Sequence, residues 1–231
     1  MKQVIKRLAT WGLQDDINSA LKYKFRNHIQ SLGRSGKISS VYDIGAHHGN
    51  WALGMRRVLP QATFHLFEAN SLCEPYLART GLPFSLVALS SKTEKRVFYS
   101  ADSTGDSFYR ENSTLSGVSA WREREITARD LDSYAKENGL QYPDWIKLDV
   151  QGAELDILAG GNLVFSKAKY LLIECPLSDY NEGAPSFSDY LETLASSGFS
   201  PTNIVEMHHI PQKDGVNLLC QIDLFFERHQ S

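Results

Sequence analysis

The chain has 231 residues, 42% of them hydrophobic and 22% charged, a size and balance that suit one large α/β domain and leave little room for two. A formal net charge of −3 argues against a general nucleic-acid binder, and Cys73, Cys175 and Cys220, far apart with no C-x-x-C pair, argue against a zinc cluster and a disulfide framework. No apolar run approaches the roughly 18–20 residues that cross a bilayer, and the N-terminus lacks the apolar core of a signal peptide, so the sequence predicts a cytoplasmic protein without a transmembrane segment.

Residues 1–37 form a helical segment, a lid or an extension, ahead of a domain over 38–231. Ile17, Leu21, Phe25 and Ile29 recur every four residues and share one helix face, and Gly33 and Gly36 end it. Eight Lys/Arg against Asp15 and Asp16 make this segment basic, which reads as a solvated helix face. Strand-like and helix-like stretches then alternate. "ISSVYDIG" (38–45) predicts a strand, 50–59 a helix ended by Pro60, 62–69 a strand, 70–79 a helix, 84–90 a third strand and 95–100 a short extra one. Residues 101–125 are rich in Ser, Thr, Gly and Asn without a period and predict a long loop, a common seat of function. A helix follows over 128–139, then a strand over 144–150, a helix over 152–160, a strand over 169–175, a helix over 185–198 and strands near 203–208 and 218–227. The order predicts an α/β fold: about seven strands, mostly parallel, with helices on both faces and a closing antiparallel hairpin.

In such sheets ligands bind beyond the carboxyl ends of the strands at the switch point. The first strand ends in "DIGAHHGN", with Asp43 two residues before Gly45 and with Gly49 leading into a helix. The spacing is G-x-x-x-G, not the G-x-G-x-x-G of dinucleotide folds, and a carboxylate is ill placed beside a pyrophosphate but well placed beside a sulfonium or ammonium. The second strand ends in Glu68, where a carboxylate accepts both hydroxyls of a ribose. Together the two acids fit a cationic, phosphate-free adenosine cofactor, S-adenosyl-L-methionine. A nicotinamide-dependent oxidoreductase and a non-catalytic module that keeps the cofactor fold are the competing readings.

"VYDIGAHHGNW", "FHLFEAN", "LVALSS" and "WIKLDVQGAELDILAGG" together resemble the FkbM family of S-adenosylmethionine-dependent methyltransferases. The resemblance spans about 38–227, is most specific from Lys147 to Gly160, and departs from the family at Gln151, where Glu is common. It implies a Rossmann-like class I methyltransferase fold and O-methylation of a hydroxyl on a sugar, glycan or small natural product. It also implies a cofactor pocket lined by Asp43, Gly45, Ala46, Gly49, Asn50 and Glu68, with Ala69 and Asn70 near the ribose, Ala88 and Leu89 against the adenine, and Asp149 at the mouth.

Lys147 and Asp149 lie two apart on one strand and share a face. Such a buried pair is weak evidence of stability, so Asp149 is better read as a site group, either the proton acceptor for the attacking hydroxyl or a contact for the cofactor amine. Glu174, at the end of the next strand, is a second candidate acid, and His47 in the glycine loop a third catalytic candidate. Asp149 and Glu174 are a thin signal for a divalent cation, and no metal is assigned.

Overall fold

The computed structural model describes residues 2–100, 106–110, 121–179, 181–211 and 217–229, with backbone alone for 2–13 and 211. A long helix α1 (Lys2–Arg34) opens the chain, followed by β1 (Ser40–Ile44), α2 (Asn50–Val58), β2 (Thr63–Glu68), a 3-10 turn at Ser71–Cys73, α3 (Glu74–Thr80) and β3 (Phe84–Leu86). Next come β4 (Ala88–Ser90), β5 (Glu94–Ser100), β6 (Arg122–Asp130), α4 (Leu131–Glu137), β7 (Trp145–Leu148), α5 (Glu154–Ala159) and α6 (Asn162–Lys167). The chain closes with β8 (Tyr170–Pro176), α7 (Phe187–Ser196), β9 (Phe199–Pro211) and β10 (Asn217–Arg228).

Seven strands form one sheet in the order β3-β2-β1-β7-β8-β10-β9. The first five run parallel, and β10 lies antiparallel between β8 and β9. This is the Rossmann-like class I methyltransferase arrangement, closing hairpin included. Its central strands are covered on both sides, and β1 and β7 are buried at every residue, which is why they read as apolar runs without alternation. On one face Tyr42, Ile44, Phe67, Ile146 and Leu171 pack against Leu131, Ile157, Phe165 and Tyr190 from α4 to α7. On the other, Val41, Leu66, Trp145 and Phe225 pack against Phe25 and Ile29 of α1, Met55 of α2 and Leu77 of α3.

A second, three-stranded sheet of order β4-β6-β5 sits beside the first. The stretch 84–90, expected as one strand, is broken at Val87, so Phe84–Leu86 stays with β2 while Ala88–Ser90 pairs with β6. The loop expected over 101–125 gives way to β6 from Arg122, and the helix expected from 128 starts at Leu131, capped by the Asp130 side chain accepting from the Ser133 amide. The rest of that loop beyond 106–110 and Trp121 lies outside the described residues. Helix α6, over 162–167, has no counterpart in the sequence reading.

The sheet order reverses between β1 and β7. Chain leaving β1 goes to β2 and β3 on one side, while β7 and β8 lie on the other, so a crevice opens where their carboxyl ends part.

Candidate active site

That crevice is a cavity of about 380 Å³. Its floor is Gly45, whose φ of 81° is left-handed and where an added Cβ would fall 1.8 Å from the carbonyl oxygen of Asp149. Two strand ends meet there so closely that only glycine fits.

Glu68 stands at one side. Its Oε2 accepts from the His47 amide and its Oε1 from the Asn70 amide, each at 2.7 Å. Burial raises its pKa, with these two amides pulling the other way. Each oxygen keeps a lone pair for a further donor. The His47 amide is brought to it by a left-handed backbone, φ 47°. Beyond Glu68 the wall turns apolar, with Ala69, Val87, Ala88, Leu89, Phe98 and Phe108. Asp106 lies at this end and accepts from the Asn70 side-chain amide at 2.7 Å and from Ser100 at 2.8 Å. Residues 106–110 are strapped across the cavity. The Ser107 hydroxyl is shared between the carbonyls of Val150 and Gln151, 2.8 Å from each. Arg96 lies over the Phe108 ring at 4.3 Å and pairs with Asp156 at 2.6 Å.

At the other side lies a polar cluster drawn from five strands. Lys147 Nζ is 2.9 Å from Asp149 Oδ2 and 3.5 Å from Asp43 Oδ1, so one cation serves two acids. Partial burial works to raise the Asp149 pKa, but Lys147 and the Gln151 amide outweigh it and hold the group below the usual carboxylate range. Gln151, left-handed at φ 56°, uses its single amide nitrogen on both Asp149 Oδ1 at 3.2 Å and Glu174 Oε2 at 2.6 Å. Gln221 donates to the same Glu174 oxygen at 2.9 Å. Burial, then the charges of Asp149, Asp223 and Glu154, push the Glu174 pKa well up. Next to it His208 Nε2 lies 3.1 Å from Asp223 Oδ1 and 3.8 Å from Glu174 Oε1. Glu174, His208 and Asp223 bring ligand-type atoms within 4.8 Å of one another, but the ring nitrogen is engaged by Asp223, and the trio reads as an ion-pair network. The loop carrying Gln151 is fixed from below by Glu154, whose two oxygens accept the amides of Val150 and Gly152 and the Tyr190 hydroxyl.

Of the residues expected along the cofactor pocket, Gly45, Glu68, Ala69, Asn70, Ala88, Leu89 and Asp149 line the cavity, as do the catalytic candidates His47 and Glu174. Asp43, Ala46, Gly49 and Asn50 are outside its wall. Asp43 is fully buried beneath it, paired in register with Lys147: it shares a face with Asp149 but lies one step before the strand's carboxyl end, below the crevice. Gly49 caps α2 with a left-handed φ of 76°, and Asn50 begins that helix on the exposed side. Sequence reasoning did not single out Phe98, Asp106, Ser107, Phe108 or Gln221 as site residues. Gln151 carried a signal, the departure from the family pattern. The others come from strands and a strap whose approach to the crevice no local spacing reports.

No Lys or Arg occurs among the described residues that line the cavity. A carboxylate with open lone pairs, an apolar slot beside it and an ionised acid at the far end form a donor set that fits a cationic adenosine ligand without phosphates.

A family model of the methyltransferase FkbM domain matches residues 43–230. The protein named 2-O-methyltransferase NoeI, from Sinorhizobium fredii (strain NBRC 101917 / NGR234), is 26% identical over 172 residues, 68% of this chain and 71% of that protein. Among solved structures, one from the fibrillarin/Nop5p complex covers 84% of this chain and 74% of its own at 11% identity and a TM-score of 0.50. The precorrin-6y C5,15-methyltransferase of Geobacter metallireducens GS-15 covers 89% and 88% at 11% identity and a TM-score of 0.47.

Proposed function

The chain belongs to the FkbM methyltransferase family, and we propose that it moves a methyl group from S-adenosyl-L-methionine to a hydroxyl oxygen of a sugar, glycan or small natural product. The observation that carries this reading is Glu68, at the end of β2. Backbone amides fix both its oxygens at 2.7 Å while it stays in the cavity wall. A ribose presents two neighbouring hydroxyl donors, and a carboxylate held so rigidly accepts both. The apolar slot of Ala69, Val87, Ala88, Leu89, Phe98 and Phe108 then takes the adenine. Asp149, kept ionised by Lys147, offers a negative charge where the cationic end would lie. The similarity to a protein named a 2-O-methyltransferase supports oxygen as the receiving atom, and the hydrogen-bonding side chains at the far end suit an acceptor with several hydroxyls.

When bound, the cofactor supplies a methyl group already activated on a sulfonium. The protein's part is then to align the hydroxyl with that methyl, to exclude water and to receive a proton, and alignment supplies most of the acceleration. The strap 106–110 and the Glu154-braced loop give the rigidity that alignment needs.

Calorimetry with S-adenosylhomocysteine tests the site. Glu68→Gln is expected to weaken binding about 10–100-fold, the worth of hydrogen bonds to a charged acceptor, with the circular-dichroism spectrum unchanged. Labelled methyl recovered from hydroxylated acceptors in a base-stable ether tests the reaction. Absence of binding, or equal binding by the Glu68 variant, would overturn the proposal.

A further inference from the structure

We infer that Glu174, through its Oε1 atom, takes the proton of the acceptor hydroxyl, and that Gln151 and Gln221 are positioning residues that leave this oxygen alone to do so. The inference rests on the methyl-to-hydroxyl reading above and deepens it.

Two carboxylates reach the far end of the cavity, and their surroundings separate their roles. Both oxygens of Asp149 are engaged, Oδ2 by Lys147 at 2.9 Å and Oδ1 by Gln151 at 3.2 Å. A cation against a carboxylate stabilises the ionised form and so makes it a poor proton acceptor. Glu174 is held differently. Its Oε2 receives two side-chain amides, Gln151 at 2.6 Å and Gln221 at 2.9 Å. An amide NH₂ only donates, so Oε2 is an acceptor whether Glu174 is ionised or not, and any proton Glu174 carries sits on Oε1. That oxygen is 3.8 Å from His208 Nε2, too far for a direct hydrogen bond and a gap that one hydroxyl oxygen can bridge.

The clamp is built with care for orientation. Gln151 holds a left-handed backbone, φ 56°, which a non-glycine residue adopts only where its surroundings impose it. The Ser107 hydroxyl on its carbonyl, and the Glu154 carboxylate on the amides either side, impose it here. Gln221 comes from β10, opposite His208 in register and next to the Glu174 strand.

The groups facing Glu174 are Lys147 on β7 and Asp149 just past its end, Glu154 on α5, His208 on β9 and Asp223 on β10. Burial and the three acids raise its proton affinity, and Lys147 lowers it in part. A base poised toward neutral pH is more effective than an ordinary carboxylate. In the transfer, the acceptor oxygen forms its bond to the methyl carbon as the methyl–sulfur bond breaks, with that electron pair left on sulfur. The hydroxyl proton goes to Oε1 and leaves later to solvent. A neutral alcohol and a sulfonium thus give a neutral ether, a thioether and one proton.

The test has two arms. In the first, the protonated carboxyl band of the free protein is followed by infrared spectroscopy against pH. A band that titrates well above the ordinary glutamate range, and is missing from Glu174→Gln, is expected. Gln221→Leu removes a donor that favours the ionised form, so its midpoint should move up. In the second, single-turnover methylation by the wild type should rise with pH through that same midpoint. Glu174→Gln should lose about 10²–10⁴-fold in rate while S-adenosylhomocysteine binds within about twofold, and Gln221→Leu should move the pH limb up while approaching the wild-type rate at high pH. An ordinary Glu174 midpoint, near-normal turnover by Glu174→Gln, or turnover abolished by a chelator and restored by Mg²⁺ would overturn the inference. The infrared arm needs no acceptor, so a protein that binds S-adenosylhomocysteine yet methylates no hydroxyl would count against the proposed function and not against this titration.

Discussion

Lys147 is the residue on which the site's electrostatics turn. It is 8% exposed, lies 5.6 Å above the Trp51 ring, and stands between Asp43, which is fully buried, and Asp149, which is partly solvated. Burial alone would lower its pKa, but the two carboxylates raise it above the usual lysine value. Asp43, by contrast, is pushed up by burial, and Lys147 only partly offsets this. Replacing Lys147 by Met should therefore cost about 3–5 kcal/mol, because a buried acid is left without its counter-ion. Adding Asp43→Asn should recover most of the loss, since a neutral amide needs no cation, and urea denaturation of the single and double variants measures both. Equal stability of the two variants would show that Asp43 is not the group being compensated. At this scale the sequence was partly legible. The acids at two strand ends were visible, but strand periodicity does not say how far down a doubly covered strand the crevice reaches. Asp43, one step before the end of its strand, lies beneath the wall and not in it. Gln151, Gln221 and His208 meet only through the register of β7 to β10, which no local spacing encodes.

Among the elements, β1, β7 and β8 start together, and one side chain ties their starts. Asp144 Oδ2 accepts from the amide and hydroxyl of Ser39 at 2.8 and 2.7 Å and from the Ser40 amide at 3.3 Å, and its Oδ1 meets Lys169 at 2.8 Å. Burial opposes ionisation here, but Lys169 and Ser39 outweigh it and the pKa falls below the usual aspartate value. Lys169 is half exposed, so most of the effect belongs to the serine donors. Asp144→Ala should cost about 1.5–3 kcal/mol at neutral pH. The sign with pH follows from the depressed folded-state pKa. The contribution is complete above the ordinary aspartate range near 4 and fades as pH falls through the lower folded value, so wild type and variant should converge over the acid window below about pH 4. A gap unchanged over that window, in denaturation midpoints taken at each pH, would refute it. Elements like these were largely legible, because a parallel sheet needs continuous apolar runs bounded by turns. The second sheet was not. Its β6, "REREITARD", alternates charge with charge along the part that faces solvent, and only Ala128 is buried, so nothing in it distinguishes an exposed strand from a polar loop. The break at Val87 is likewise a tertiary decision, since Phe84–Leu86 and Ala88–Ser90 are equally strand-like and choose different partners.

Across the whole molecule α1 lies outside the family match yet inside the core. Phe25, Ile29 and Leu32 are buried in the same cluster as Trp145, Tyr170 and Phe225, with Phe25 edge-on to Phe225 at 5.2 Å and to Trp145 at 6.0 Å. The helix also runs along β9, the last strand of the sheet. There the Asn18 side chain donates to the Met207 carbonyl at 2.9 Å and accepts from the Met207 amide at 3.0 Å, standing in for a neighbouring strand, while Lys22 meets Glu206 at 2.6 Å. An open edge invites pairing with another chain, and α1 covers it while supplying a wall of the core. Because β9 runs parallel to β8, the side chains farther back along α1 meet residues nearer the crevice end of the sheet, with Gln14 reaching His209, next to His208. Two consequences separate these contributions. Phe25→Ala should destabilise the protein by about 3–5 kcal/mol, as expected for an aromatic truncated in a packed core, without promoting association. Asn18→Leu should cost less, about 1–3 kcal/mol for the unpaired Met207 groups, but should promote association through the uncovered strand. Denaturation midpoints rank the two losses, and sedimentation at rising concentration reads the second effect. A Phe25 variant as stable as wild type would mean that α1 merely rests on the sheet, and a monomeric Asn18 variant would mean that the edge is protected by something other than this amide.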